Sequence, residues 1–152
     1  MRGIGLYHAG EPGVIDMADT HDLTVSLLDD DPSVVKATSR LLSSAGWKVA
    51  SFTDPIEFLS YAQASHPQVV VLDILMPEMD GLEVQKRLQG FSPASQVIVL
   101  TSKDDPAVRT KAMRAGATAF FVKPVADDQF LAEVKSAFVK QSSKQSNGVA
   151  AA

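Results

Sequence analysis

Val69-Val70-Val71-Leu72-Asp73 is a run of four apolar residues, three of them β-branched, that ends in a carboxylate. Bounded by Pro67 before and Pro77 after, it fits a strand buried on both faces. The following residues, Ile74-Leu75-Met76-Pro77-Glu78-Met79-Asp80-Gly81, break off into a turn. In open parallel sheets ligands collect outside the carboxyl ends of the strands, which is where Asp73 stands. An Asp in that position taken alone is more often a turn residue. The rest of the chain gives it company.

Outward from this strand, strand-like and helix-like segments alternate. Leu23-Thr24-Val25-Ser26-Leu27-Leu28 reads as a first strand. Asp31-Pro32 supplies an N-cap and a first-turn proline. Val34, Val35, Thr38, Leu41, Leu42 and Ala45 then recur at helical spacing up to Gly46. Trp47 to Phe52 is a second, weaker strand, and Asp54-Pro55 opens a helix carrying Ile56, Leu59 and Ala62. After the Asp73 strand, Asp80-Gly81 begins a helix holding Leu82 and Leu88. Val97-Ile98-Val99-Leu100 is a fourth strand, ending in Thr101, and Asp105-Pro106 opens a helix that stops at Gly116. Ala119-Phe120-Phe121-Val122 is a fifth strand, ending in Lys123, and Phe130, Leu131, Val134, Ala137 and Phe138 mark a last amphipathic helix.

Five strands alternating with five helices over short loops imply right-handed βαβ units and a parallel sheet. The central strands are apolar throughout, so helices are expected on both faces. The expectation is an α/β fold: a three-layer, doubly wound, five-stranded parallel sheet of order 2-1-3-4-5.

The whole is 152 residues long, one domain's worth, with 45% hydrophobic and 21% charged residues, the composition of a globular protein. Residues 1–22 show neither period and read as a flexible leader, with Met17 a candidate native start. Residues 23–140 form the folded domain, and 141–152 read as a disordered tail or the start of a linker. A net charge of -4 argues against a nucleic-acid surface. The absence of cysteine excludes disulfides and thiol catalysis and suits a reducing, cytoplasmic setting. No apolar run is long enough to span a bilayer, so no membrane partner is expected. His8, His21 and His66 lack metal-ligand spacing and read as surface residues.

Polar groups stand at the ends of four strands: Asp29-Asp30-Asp31 on the first, Asp73 on the third, Thr101 on the fourth and Lys123 on the fifth. In the expected order these strands are adjacent, so the groups can converge on one sheet edge. Asp29, Asp30 and Asp73 against Lys123 leave a charge of about minus two in a small cleft. At ~4 Å and an effective dielectric near ~20, each like-charge pair costs about 4 kcal/mol. Such a site calls for a divalent cation, and hard oxygen donors without His or Cys point to magnesium (Mg2+). The metal, Lys123 and the Thr101 hydroxyl can then hold phosphoryl oxygens, with an Asp as nucleophile.

The series Leu28-Asp29-Asp30-Asp31-Pro32, then Leu72-Asp73-Ile74-Leu75-Met76-Pro77-Glu78-Met79-Asp80-Gly81, then Leu100-Thr101-Ser102, then Val122-Lys123-Pro124 resembles the receiver domain of two-component response regulators. The resemblance covers essentially all of residues 23–140, with every motif in order. It implies a flavodoxin-like receiver fold and Asp73 as the phosphoacceptor, with Asp29 and Asp30 as the acidic pair. Asp30, Asp73 and the Leu75 carbonyl would ligate Mg2+, with Asp29 acting mainly through a bound water. Thr101 and Lys123 would contact the phosphoryl oxygens, and Leu75 and Lys103 would flank them. Phe120 stands where family members often carry Tyr, so one hydroxyl is lost. The Lys123-Pro124 peptide is expected to be cis. A phosphoryl group on Asp73 would draw the Thr101 hydroxyl inward, Phe120 would turn in behind it, and the outer face of the fourth and fifth helices would change shape.

The implied donor is a sensor histidine kinase or a phosphotransfer protein. A second copy of the chain, joined through that outer face, is a further implied partner. Such a domain is no enzyme beyond self-catalysed phosphorylation and slow autodephosphorylation. The rival is a haloacid-dehalogenase-like phosphatase with Asp29 as nucleophile and Asp31 as acid; it leaves Asp73 without a role and lacks an acidic strand end after Lys123. A flavodoxin-like binding module shares the strand order, but three aspartates after the first strand would repel its phosphate.

Overall fold

The computed structural model describes residues 23–76 and 79–151, with 143–151 described by their backbone alone. The leader expected over 1–22 lies outside the described residues. The elements run β1 (Thr24–Leu28), α1 (Pro32–Ser44), β2 (Lys48–Phe52), α2 (Pro55–Ser65), β3 (Val69–Asp73), α3 (Gly81–Phe91), β4 (Gln96–Thr101), α4 (Pro106–Arg114), β5 (Ala119–Val122) and α5 (Asp127–Ala151). All pairings are parallel and the sheet order is β2-β1-β3-β4-β5, the doubly wound order expected.

β3 is buried at every residue, and its alternation shows why an unbroken apolar run is required there. Val69 and Val71 face a layer with Leu42, Trp47, Phe130, Val134 and Phe138, from or beside α1 and α5. Val70 and Leu72 face Phe58, Val84, Leu88 and Ala112, from α2, α3 and α4. Each such burial contributes about 1.5–3 kcal/mol, so a polar residue on either face would be costly.

Asp-Pro pairs open three helices. The carboxylates of Asp31, Asp54 and Asp105 accept from the N–H groups of Ser33, Ile56 and Ala107, each with a proline in the first turn. These bonds satisfy donors that the first turn otherwise leaves unpaired. At the other ends, Gly46 and Gly116 take φ of 100° and 113° after α1 and α4, where a side chain would be strained. α2 ends on His66 instead, exposed and left-handed at φ 49°.

Two expectations are corrected. Ile56 is 56% exposed, and fully buried Phe58 takes its place beside Leu59 and Ala62. Because Pro55 is itself buried, the inner stripe of α2 is phased on 55, 58, 59 and 62. α5 continues to Ala151, where a disordered tail or linker start was the reading. Residues 141–147 contain no proline or glycine to stop it, and Gln141 is buried. Among the described residues, no helix is long and apolar enough to cross a membrane.

Candidate functional site

Register brings the polar strand ends to one edge. Leu28 pairs with Leu72, so the next residues, Asp29 and Asp73, stand level at the ends of β1 and β3. Asp73 pairs with Leu100 and Thr101 with Val122, which places Thr101 and Lys123 one step further along the same edge. One carboxylate oxygen from each of Asp29, Asp30 and Asp73 can be chosen so that all lie within 4.8 Å of one another. β1 and β3 are the strands from which the chain winds in opposite directions, the position where open α/β sheets hold their ligands.

Asp29 is 3% exposed and is held from three sides. Its N–H donates to the Phe52 carbonyl, its Oδ1 accepts from the Asp31 N–H at 3.0 Å, and its Oδ2 accepts from Lys123 Nζ at 2.8 Å. Asp73, 6% exposed, accepts only from the Leu75 N–H, to Oδ1 at 3.2 Å, among the described residues. Burial, reinforced by the negative charge of Asp29, therefore pushes the Asp73 carboxyl up to about 6. The Leu75 N–H and Lys123 oppose that rise without cancelling it. Asp31 behaves oppositely: the Ser33 hydroxyl and N–H hold its carboxyl below the usual range. It is the α1 cap and stands outside the cluster.

Thr101 is buried, and its Oγ1 accepts from the Lys103 N–H at 3.3 Å. Neither Thr101 nor Lys103 hydrogen-bonds to the carboxylates among the described residues. Leu75, 42% exposed, stands free beside the site. The Lys123-Pro124 peptide is cis, as expected. Phe120 points inward, 6% exposed, with the Arg109 guanidinium 4.8 Å from its ring centroid. A ring without a hydroxyl has no polar reason to stay in water.

One contributor escaped the sequence reading. Gly81 is more than a helix start: a Cβ there would lie 2.4 Å from Ile74 Cα and 2.6 Å from the Asp73 carbonyl oxygen. Its N–H donates to the Ile74 carbonyl at 3.0 Å, so the start of α3 rests directly on the strand end that carries Asp73. An Asp-Gly after the loop was the only signal, and it is shared with ordinary turns.

This carboxylate-and-lysine edge on a 2-1-3-4-5 sheet agrees with what the chain is similar to. The sequence pattern of the response regulator receiver domain matches residues 25–135, and the chain belongs to that family. It is 32% identical over 137 residues to the response regulator protein TodT of Pseudomonas putida F1, a match covering 90% of this chain and 60% of TodT. The chain thus spans about 60% of the length of that curated relative. Among solved structures, a CheY-like receiver domain protein from Methanospirillum hungatei JF-1 superposes with a TM-score of 0.77 at 23% identity, covering 80% of this chain and 98% of that one, a likeness of fold. The beryllofluoride-activated NtrC4 receiver domain, a dimer in solution, is 30% identical with a TM-score of 0.73, covering 78% of this chain and 98% of its own. None of these supports the phosphatase alternative.

Proposed function

We propose that Asp73 accepts a phosphoryl group from a histidine kinase or phosphotransfer protein. The observation that carries this reading is the buried Asp73 carboxylate level with Asp29, in a cluster completed by Asp30 and bridged to Lys123. An Asp73 oxygen forms the new O–P bond while the donor's N–P bond breaks, and the electron pair of that bond returns to the imidazole. Oδ1 is occupied by the Leu75 N–H, which leaves Oδ2 as the oxygen without a backbone donor.

The hard, closely spaced oxygens suit Mg2+, which would be held by Asp30, Asp73 and the Leu75 carbonyl, with Asp29 acting mainly through a water. When bound, Mg2+ supplies the positive charge that lets a carboxylate approach an anionic phosphoryl group. The chain's own groups do the rest. Lys123, already aimed at the cluster through Asp29, meets one phosphoryl oxygen. Thr101 Oγ1 accepts from the Lys103 N–H, so its own proton is available for another. Leu75 and Lys103 flank the group, and Leu75 limits the approach of water. The signal leaves as changed contacts, with a second copy of the chain or another protein, on the face of α4 and α5. The setting is cytoplasmic, with no direct contact to nucleic acid or membrane.

The test is incubation with Mg2+ and acetyl phosphate, read by intact mass. One phosphoryl increment is expected on the native chain and none on Asp73→Asn. Labelling that survives Asp73→Asn would overturn the assignment, and labelling lost only in Asp29→Asn would favour the phosphatase.

A further inference from the structure

Phe120 is packed in the layer of α2, α3 and α4. Over its ring stands Arg109, exposed on α4, at 4.8 Å from centroid to guanidinium carbon. That is within the range at which an aromatic face holds a cation. None of the ion pairs among the described residues involves Arg109, so the contact is not the by-product of a salt bridge.

The helix that carries Arg109 is also fixed by α3. Gln85, fully buried on α3, donates from Nε2 to the Ala112 carbonyl at 2.9 Å. Gln89, one turn later, donates to the Gly116 carbonyl at 3.2 Å. Ala112 lies three residues after Arg109 and so on the neighbouring part of the same helix face. Pinning its carbonyl sets the rotation at which Arg109 meets the ring. α3 itself begins at Gly81, against the Asp73 and Ile74 backbone.

We propose that Arg109 is a positioning residue: its guanidinium caps Phe120 and holds the ring inward. The seat of α4 on α3 then sets the shape of the α4–β5–α5 face. A change at Asp73 reaches that face by moving α4, and Arg109 with it. This last link rests on the reading of Asp73 as phosphoacceptor, whereas the cap itself is testable without it. A cation held at an exposed site over an aromatic face favours the geometry that holds it by about two- to fivefold.

The experiment is NMR of the native chain, Arg109→Ala and Arg109→Lys, each with labelled phenylalanine, with and without beryllofluoride and Mg2+. Without ligand, the native Phe120 signal should report one inward environment. Arg109→Ala should broaden or split it, with the inward fraction falling against the outward by about two- to fivefold. Arg109→Lys, which keeps a cation on a long stem, should restore most of the native signal. A Phe120 signal identical in all three proteins would overturn the cap. So would equal shifts in both variants, because the charge would then be irrelevant. Backbone amides of Asp73 and Leu75 report beryllofluoride uptake in the same samples. Silence there would count against the phosphoacceptor reading and leave the ligand-free comparison decisive for Arg109.

Discussion

Lys123 and Asp29, 94 positions apart in sequence, form a 2.8 Å ion pair in which the lysine occupies an oxygen of the acidic cluster. The side chains are 25% and 5% exposed, so the pair is partly shielded from water. Lys123 therefore competes with any cation for Asp29, and on the proposed function it also meets the phosphoryl group.

Lys123→Met should separate these two effects. Mg2+, measured by calorimetry, should bind several-fold more tightly once the competing ammonium is gone. Labelling by acetyl phosphate should slow by about tenfold or more, because one phosphoryl oxygen loses its cation. Labelling at the native rate would remove Lys123 from the transfer.

The raised Asp73 carboxyl makes the metal-free fold sensitive to pH. Its folded value of about 6 lies above the ordinary 3.8. The associated stabilisation is therefore complete below the ordinary value and is lost as pH rises through about 6. With EDTA present, Asp73→Asn should melt a few degrees above the native protein at pH 8, and this advantage should vanish at pH 4. Thermal scans at the two pH values decide it. An advantage of the same size at both would mean that the carboxylate charge is not its source.

Two glycines of α3 should respond oppositely to alanine. At Gly81 the new Cβ collides with backbone that cannot yield, so Gly81→Ala should lose roughly 2–3 kcal/mol and slow labelling of Asp73. At Gly90 nothing lies within 4 Å, and Gly90→Ala should gain about 0.5–1 kcal/mol from helix propensity alone. Urea denaturation of the two variants measures both. Equal responses would show that the close contact at Gly81 is unimportant.

Leu75 stands 42% exposed at the mouth of the site, so replacing it disturbs little packing. Leu75→Asn should leave the melting temperature within about a degree and speed loss of the phosphoryl group severalfold by admitting and orienting water. Intact-mass time courses after removal of acetyl phosphate give the rate, and an unchanged rate would refute the shielding role.

The elements of this fold are visible in sequence because their signals are local. Val69 to Leu72 cannot be a one-sided strand, and Asp-Pro marks the start of α1, α2 and α4 by a bond made within three residues. The charged part of the site is visible because Asp29, Asp73 and Lys123 each directly follow, or end, an apolar run in a parallel sheet. Gly81, Arg109 and the Gln85 and Gln89 bonds were not legible. Each depends on the distance between elements, and neither helical nor strand periodicity carries that distance. The cover over Phe120 was hidden for the same reason, since the cation that supplies it comes from α4.

Because the carboxylates stand at the ends of β1 and β3 while Lys123 follows β5, a growing chain completes this edge only after its fifth strand. A nascent chain extending only through β4 carries the acids without their ammonium. On the proposed function, copies broken off before β5 would be deaf to a phosphoryl donor however well their first strands had paired.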